Sequence, residues 1–149
     1  MKAYKHTQTG YVADVLLFIG ILFVFITGYL YGMTIIKAII LGVLFTLLLI
    51  FGKLHIIITE NKVVTYFNFK LFKKSIFYEL VDSVEIIKTP IYNKWGICLL
   101  LQGKAYSVSG NKMIQFNYKN GRYFRIGTDN SMVLLREVLH FLNNFRDQN

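Results

Sequence analysis

The residue types that most often carry enzyme chemistry are sparse in this sequence. The single cysteine, Cys98, has apolar neighbours, which is typical of a small core residue, and one cysteine excludes an internal disulfide. The three histidines are far apart and have no metal-ligand spacing; they are His6, His55 and His140. These residues therefore predict no metal site and no nucleophilic or redox centre.

The acidic residues of the C-terminal part form no known catalytic motif. Asp129 has the position of a helix cap, and Glu79, Asp82 and Glu85 are expected to form a solvated face or to pair with nearby lysines. The chain contains neither a Walker loop nor a G-x-S-x-G motif. We therefore expect no enzyme activity and no cofactor.

The chain carries more basic than acidic residues. Lys and Arg number 17 against 8 Asp and Glu, which gives a formal net charge of +9. Such surfaces usually bind anionic lipid or nucleic acid. The chain has no Arg-rich run and no recognisable nucleic-acid-binding module. The sequence therefore favours an anionic lipid leaflet as the partner of the basic surface and predicts no nucleic-acid partner.

The basic C-terminal part follows a long apolar stretch, residues 11–52, whose formal charges are Asp14 and Lys37. A mean hydropathy of +0.45 is too apolar for an ordinary soluble domain of this length. One membrane-spanning helix needs about 20 apolar residues. The stretch therefore predicts a transmembrane hairpin with helices at about 12–31 and 34–51. A cleaved signal peptide is the alternative, but no small-x-small cleavage site follows the apolar core.

The distribution of lysines predicts the orientation of this hairpin. Lys2 and Lys5 precede it, Lys53 and further lysines follow it, and the turn at 31–34 is uncharged. Positive charge favours the cytoplasmic side. We therefore expect a multi-pass protein of the inner (cytoplasmic) membrane with a basic cytoplasmic N-terminus at 1–11 and a cytoplasmic domain at 53–149. Asp14 and Lys37 lie close enough to the boundaries to reach water, so a transport pathway is not favoured.

Small residues indicate how the two helices pack. Ala38, Gly42 and Thr46 recur every four residues on the second helix, and Gly28 and Gly32 form a G-x-x-x-G on the first. Such faces allow close backbone approach in lipid. We expect these residues to pack the two spans against each other, with homo-oligomer formation as the alternative.

Residues 53–149 change to the short periodicity of strands and end in a helical pattern. Seven strands are predicted, at 54–59, 62–69, 76–87, 97–102, 105–108, 113–118 and 122–126. Asn120-Gly121 is the strongest hairpin signal. One face of the final helix carries Leu135, Val138, Leu142 and Phe145. The sequence therefore predicts an α+β domain: a small barrel of antiparallel strands closed by a C-terminal capping helix.

Three short motifs connect this plan to a known family. They are N-K-W-G-I at 93–97, Y-S-V-S-G-N at 106–111 and I-G-T-D at 126–129. Because of the order and spacing of these motifs, the chain resembles bacterial PH-like (pleckstrin-homology-like) domain membrane proteins with two N-terminal transmembrane helices. The resemblance covers the whole chain. It implies the architecture, a PH-like domain behind a membrane hairpin, and no catalytic residues.

A meander of antiparallel strands places every second turn on the membrane side. These turns hold Lys70, Leu71, Phe72, Lys73, Lys74, Lys104, Lys119 and Arg122. An anionic leaflet contributes about 1 kcal/mol per nearby basic side chain. We therefore hypothesise that these residues contact the membrane surface and that Leu71 and Phe72 insert into it. An ordinary solvated lysine loop is the alternative.

Trp95 is the aromatic residue with the clearest functional potential. It follows the Pro90 loop, and Tyr92 and Tyr106 are expected near it. The three residues could line a groove for a protein partner. Alternatively, Trp95 is a core residue that plugs the rim of the barrel.

The sequence favours a non-enzymatic, membrane-anchored binding or scaffold module that presents its domain at the cytoplasmic leaflet, for a protein partner or for anionic lipid. One alternative is an immunity protein that protects the cell against a bacteriocin or toxin, because small basic two-span proteins suit that task. Another is an accessory subunit of a membrane transporter, although no polar path lies at mid-membrane depth.

Overall fold

The computed structural model describes residues 4–88 and 95–148. Two helices, α1 (Tyr11–Tyr31) and α2 (Ile35–Phe51), precede a strand-rich part, and a third helix, α3 (Ser131–Asp147), ends it. The predicted order of helical hairpin, strands and C-terminal helix is confirmed. The described strands are β1 (Tyr4–Thr9), β2 (Lys53–Ile58), β3 (Lys62–Phe67), β4 (Lys74–Phe77), β5 (Val81–Lys88), β6 (Gly96–Leu100), β7 (Gly103–Ser107), β8 (Lys112–Tyr118) and β9 (Tyr123–Thr128).

Strand β1 lies before the hairpin and was not predicted. It pairs antiparallel with β2, from Tyr4 opposite Ile58 to Thr9 opposite Lys53. The N-terminal segment is therefore an edge strand of the sheet that continues beyond the hairpin, and the boundary predicted at Lys53 divides this sheet. The helical hairpin is an insertion between two neighbouring strands.

The described strands form two sheets, and they do not form one closed barrel. The first sheet has the order β1-β2-β3-β4, and the second has the order β5-β8-β9-β7-β6. The predicted third strand is in fact two strands, because a 3₁₀ turn at Tyr78–Leu80 ends β4 and moves the chain into the second sheet. The meander is also interrupted, since β7 pairs parallel to β9, from Gly103 opposite Tyr123 to Tyr106 opposite Ile126.

The core lies between the two sheets and α3. Strand alternation directs one set of side chains inward, and α3 adds an apolar face every three to four residues. The largest fully buried side chains include Tyr78, Phe67, Phe116, Phe124, Leu54, Ile56, Ile58, Ile114 and Ile126. On α3 the buried apolar residues are Leu134, Val138 and Leu142, whereas Leu135 and Phe145 are only partly buried. The predicted helical face is therefore correct to within one position.

Helices α1 and α2 pack side by side and expose most of their apolar side chains. The Asp14–Tyr31 part of α1 has a mean hydropathy of 2.1, and only 6% of its residues are buried. Within the described ranges, α1 is the one helix long and apolar enough to span a membrane by itself. Helix α2 is also apolar but has 17 residues.

The predicted packing residues are divided between two faces of the hairpin. Ala38, Gly42 and Thr46 are exposed on α2, and a Cβ added to Gly42 would have no atom within 4 Å. The contact between the helices does not use this face. Gly28, in contrast, lies against the side chain of Met33, and Gly32 ends α1 with a φ of 85°.

Lys37 lies at the closed end of the hairpin and completes the C-terminus of α1. Its Nζ donates hydrogen bonds to the carbonyls of Thr27, at 3.2 Å, and Gly32, at 3.0 Å. The last carbonyls of a helix have no partner within the helix. The predicted snorkelling lysine therefore has a structural role, because it bonds the carbonyl of Gly32, just after α1, and that of Thr27 near the end of the helix.

Candidate functional site

The junction between the helices and the strands is unusually short. One residue, Gly10, connects β1 to α1, and one residue, Gly52, connects α2 to β2. The Gly10 N–H donates to the Gly52 carbonyl at 3.0 Å, which extends the hydrogen bonding of β1 and β2 to the base of the helices. With no linker on either side, the sheet and the hairpin are held in one fixed orientation.

An aromatic cluster covers this junction on one side. Phe51, the last residue of α2, contacts three rings, with centroid distances of 5.0 Å to Phe67, 6.0 Å to Phe72 and 5.5 Å to Trp95. Aromatic pairs at these distances contribute about 0.5–1.5 kcal/mol beyond the burial of their area. The cluster therefore holds the second sheet, through Trp95, against the end of α2.

Of the residues predicted to line a partner groove, the structure describes Trp95 and Tyr106, and both are at least partly buried. Trp95 is half-buried in the aromatic cluster, and Tyr106 is 7% exposed between Phe67 and Phe124. Tyr92 lies outside the described residues. Trp95 packs against the end of α2, and its contact with a protein partner stays a prediction.

The junction loop, residues 68–73, lies beside the last turn of α2. The Asn68 side-chain amide donates to the carbonyl of Leu49 at 2.9 Å, and the ring of Phe72 stacks on Phe51. Phe69, Lys70 and Phe72 have positive φ angles, of 59°, 57° and 51°. A left-handed backbone costs a non-glycine residue about 1–2 kcal/mol. The backbone of the loop is therefore strained, and its left-handed conformation sets the direction in which its side chains project.

The junction loop exposes a mixed apolar and basic surface. Phe69 is 74% exposed, Phe72 50% and Leu71 39%, and Lys70 and Lys73 are exposed between them. The loop contains no acidic residue. Four of the predicted membrane-contact residues therefore lie together at the end of α2, and Phe69, which the sequence analysis missed, is the most exposed aromatic among them.

The remaining predicted contact residues lie elsewhere. Trp95 and Val108 contact the junction, so the ends of β6 and β7 that carry them face the helices. Lys104 and Arg122 are at the other ends of their strands, and Lys119 is in the turn before Arg122. The regular meander does not extend to these three residues, because the second sheet begins anew at β5, and their contact with the membrane stays a prediction.

These residues meet instead at a cleft between the two sheets, which we call the inter-sheet cleft. Two open cavities, of about 290 and about 300 Å³, share three lining residues, Lys74, Tyr118 and Arg122. Lys119 lines the first cavity and Lys104 the second. Lys74 begins β4 directly after the junction loop, so the cleft and the loop are adjacent along the chain.

Three other titratable residues, His6, Asp129 and Glu85, have structural partners. His6 Nε2 lies 2.8 Å from Asp129 Oδ1, so Asp129 contacts β1 and does not cap α3 as predicted. Glu85 accepts hydrogen bonds from the amides of Gln115 and Asn117, both at 2.9 Å, and therefore pairs with neutral groups rather than lysines. Across residues 4–88 and 95–148, no three His, Cys, Asp or Glu side chains converge as metal ligands would.

Comparison with known proteins assigns no family to the chain. No protein-family model matches it, and no curated protein matches it. The junction loop and the inter-sheet cleft are therefore the features from which a function is inferred.

Proposed function

We propose that this protein is a non-enzymatic, membrane-anchored binding module whose strand-rich domain rests on the cytoplasmic leaflet. In this proposal α1 and α2 cross the bilayer together as a hairpin. The observation that carries the proposal is the junction loop, which presents three exposed apolar side chains and two lysines beside the last turn of α2. This is the composition that a segment at the lipid head groups requires.

The exposure of the two helices supports their insertion into lipid. A core helix of a soluble protein is mostly buried, whereas only 6% of the residues in the apolar part of α1 are buried. Exposed apolar surface of this extent requires a cover of lipid or protein. A cleaved signal sequence fits poorly, because cleavage after α1 would remove β1, which pairs with β2 over its whole length.

The length of α2 also fits a hairpin. At about 1.5 Å per residue its 17 residues extend roughly 26 Å, slightly less than a bilayer core of about 30 Å. Small mismatches of this kind are accommodated by local thinning. Lys37 fits the same placement, because its ammonium bonds the carbonyls of Thr27 and Gly32 at the end of the hairpin that would face the far leaflet.

The pairing of β1 with β2 supports a common side for both termini. Residues before α1 and after α2 belong to one sheet, so they lie on the same side of any bilayer that the hairpin crosses. Lysine and arginine residues are concentrated in the part of the chain on this side, whereas the turn at 32–34 has none. The positive-inside rule then favours the cytoplasm.

Strain in the junction loop supports a role in contact with lipid. Strained backbone is retained where the surrounding structure enforces it, and such sites are often functional. Here the left-handed residues direct Phe69 outward at the end of α2. Phe69 and Leu71 would enter the head-group region, and Lys70 and Lys73 would meet lipid phosphates.

We propose the PH-like assignment at the level of architecture. Two sheets and a C-terminal helix over their open side support it. The parallel pair of β7 and β9, and the insertion of the hairpin after β1, depart from the plan that the resemblance implied. The binding role of the domain therefore depends on the local surfaces and not on the family resemblance.

The proposal is tested by the depth of single tryptophans in the intact chain. Trp95 is the only tryptophan, so replacing it with Phe gives a background in which one new tryptophan reports alone. In vesicles that contain anionic phosphatidylglycerol and shallow brominated lipids, Phe69→Trp in this background is expected to be strongly quenched.

Glu60→Trp in the same background is the matched control. Glu60 is exposed in the turn between β2 and β3, at the end of β2 opposite the hairpin, and should show little quenching. Quenching of the two tryptophans to the same extent, or none at position 69, would contradict the docking of the junction loop.

A further inference from the structure

The inter-sheet cleft has a charge pattern that suggests a ligand. Four cationic side chains line its two cavities, namely Lys74, Lys104, Lys119 and Arg122. No Asp or Glu is among the described residues that line them. Within the described ranges the one ion pair is His6 with Asp129, so none of the four cations has a carboxylate partner. Concentrated, uncompensated positive charge attracts a multiply charged anion.

The backbone holds these cations on rigid elements. Lys74 pairs opposite Thr65 in the first sheet, and Lys104 pairs opposite Phe124 in the second. The turn that carries Arg122 is closed by two hydrogen bonds, from Tyr118 N–H to the Arg122 carbonyl and from Arg122 N–H to Asn120 Oδ1. Binding groups on such elements lose little entropy when a ligand arrives.

Neutral donors complete the lining of the cleft. Ser75 and Asn120 line the first cavity, and Tyr118 lines both. Burial raises the pKa of Tyr118 to about 12, so its hydroxyl remains protonated near neutral pH. A carboxylate has two oxygens, whereas a phosphate offers three or more to cations and hydroxyl donors that converge. Arg122 adds a planar fork that matches phosphate geometry.

We propose that the inter-sheet cleft is a binding site for a phosphate-bearing anion, with Lys74 and Arg122 as its central contacts. Two sources share this chemistry: a soluble phosphate compound and the head group of an anionic phospholipid. The site itself does not require membrane anchoring, but the lipid source rests on the proposed function. Leu80 and Leu101 are exposed at the rim of the cleft, and the cleft is open to a ligand from either source.

Two measurements on the intact chain separate these sources. In a phosphate-free detergent, ³¹P line broadening reports the binding of inorganic phosphate. Native mass spectrometry of the same sample with added lipid reports the retention of phosphatidic acid against phosphatidylcholine. Phosphate binding identifies a soluble source, and selective retention of phosphatidic acid identifies the head group.

Arg122→Gln should weaken whichever binding is found by about tenfold or more, because it removes charge-assisted hydrogen bonds. Lys88→Gln is the matched control, since it removes one charge from an exposed position at the end of β5. An unchanged thermal midpoint for both variants shows that folding is retained. Equal losses in the two variants, or no binding of either probe, overturn the proposal.

The two proposals fail separately. If Phe69→Trp is unquenched while Arg122-dependent phosphate binding persists, the junction loop does not dock and the cleft remains a site. If Phe69→Trp is quenched and neither probe binds, the domain rests on the leaflet without a phosphate site in the cleft.

Discussion

The backbone N–H of Gly10 donates to the carbonyl of Gly52 at 3.0 Å, so the two ends of the helical hairpin are joined by the same type of bond that joins β1 to β2. Each of the two connections between the hairpin and its flanking strands is a single residue. The strand-rich domain therefore has a fixed orientation on the hairpin, and any membrane contact it makes is set by the fold and not by a flexible linker.

The first prediction concerns the close approach at Gly10. A Cβ at this position would lie 2.7 Å from the carbonyl oxygen of Val108, so Gly10→Ala forces the junction apart. We expect a loss of about 1–3 kcal/mol in the free energy of unfolding, measured by denaturation of the detergent-solubilised chain. Gly42→Ala is the control, because a Cβ there meets open space. Equal stability of the two variants would contradict the role of Gly10.

The second prediction concerns the attachment of β1. The Gln8 side chain is 1% exposed; its Nε2 donates to the Gly127 carbonyl at 2.9 Å, and its Oε1 accepts from Ser109. Gln8→Ala leaves buried polar groups without these bonds and should cost about 1–3 kcal/mol. Lys5→Ala, at an exposed position of the same strand, should cost little. Thermal unfolding of both variants measures the difference, and a similar loss in both would argue against the bridging role of Gln8.

The third prediction concerns strain in the junction loop. Lys70 has a φ of 57°, which glycine adopts without cost, so Lys70→Gly should stabilise the fold by about 1 kcal/mol. Lys73→Gly removes the same charge from a residue without a positive φ and should not give this gain. Both variants should bind anionic vesicles less well. A stabilisation of equal size in both would indicate charge repulsion as the cause.

The fourth prediction concerns membrane topology. In a Cys98→Ala background, a cysteine at Met33, in the turn between the helices, should react with an impermeant maleimide added to intact cells. A cysteine at Lys112, the exposed first residue of β8, should react only after the membrane is opened. Labelling of Lys112→Cys in intact cells would reverse the proposed orientation.

The fifth prediction concerns alkaline pH. Burial raises the pKa of Tyr118 from its ordinary value of 10.0 to about 12, and it also raises that of Tyr78. The folded chain therefore holds these protons more tightly than the unfolded chain does. The contribution of the protonated tyrosines to the free energy of unfolding is complete below about pH 10 and is lost as the pH rises toward 12. Tyr118→Phe should make the alkaline loss of thermal stability shallower. Tyr29→Phe, at a residue 83% exposed, should leave the curve unchanged.

The candidate site was predictable where its residues are neighbours in the chain. Lys70, Leu71, Phe72 and Lys73 lie together on the junction loop because four consecutive residues cannot separate far. The contact of Phe51 with Trp95, and the shared cleft of Lys74 with Arg122, join distant segments. No local pattern indicates such contacts, which depend on how the sheets pack.

The sequence by itself determined the helical hairpin, most of the strands, α3 and the basic character of the surface, because side-chain periodicity and hydrophobic length act locally. Only the tertiary structure decided that Tyr4–Thr9 is a strand, that the chain changes sheets at Tyr78–Leu80 and that β7 lies parallel to β9. A short polar segment such as Tyr4–Thr9 is stable as a strand only when the edge of β2 offers it hydrogen bonds, and that edge is formed by residues on the other side of the hairpin.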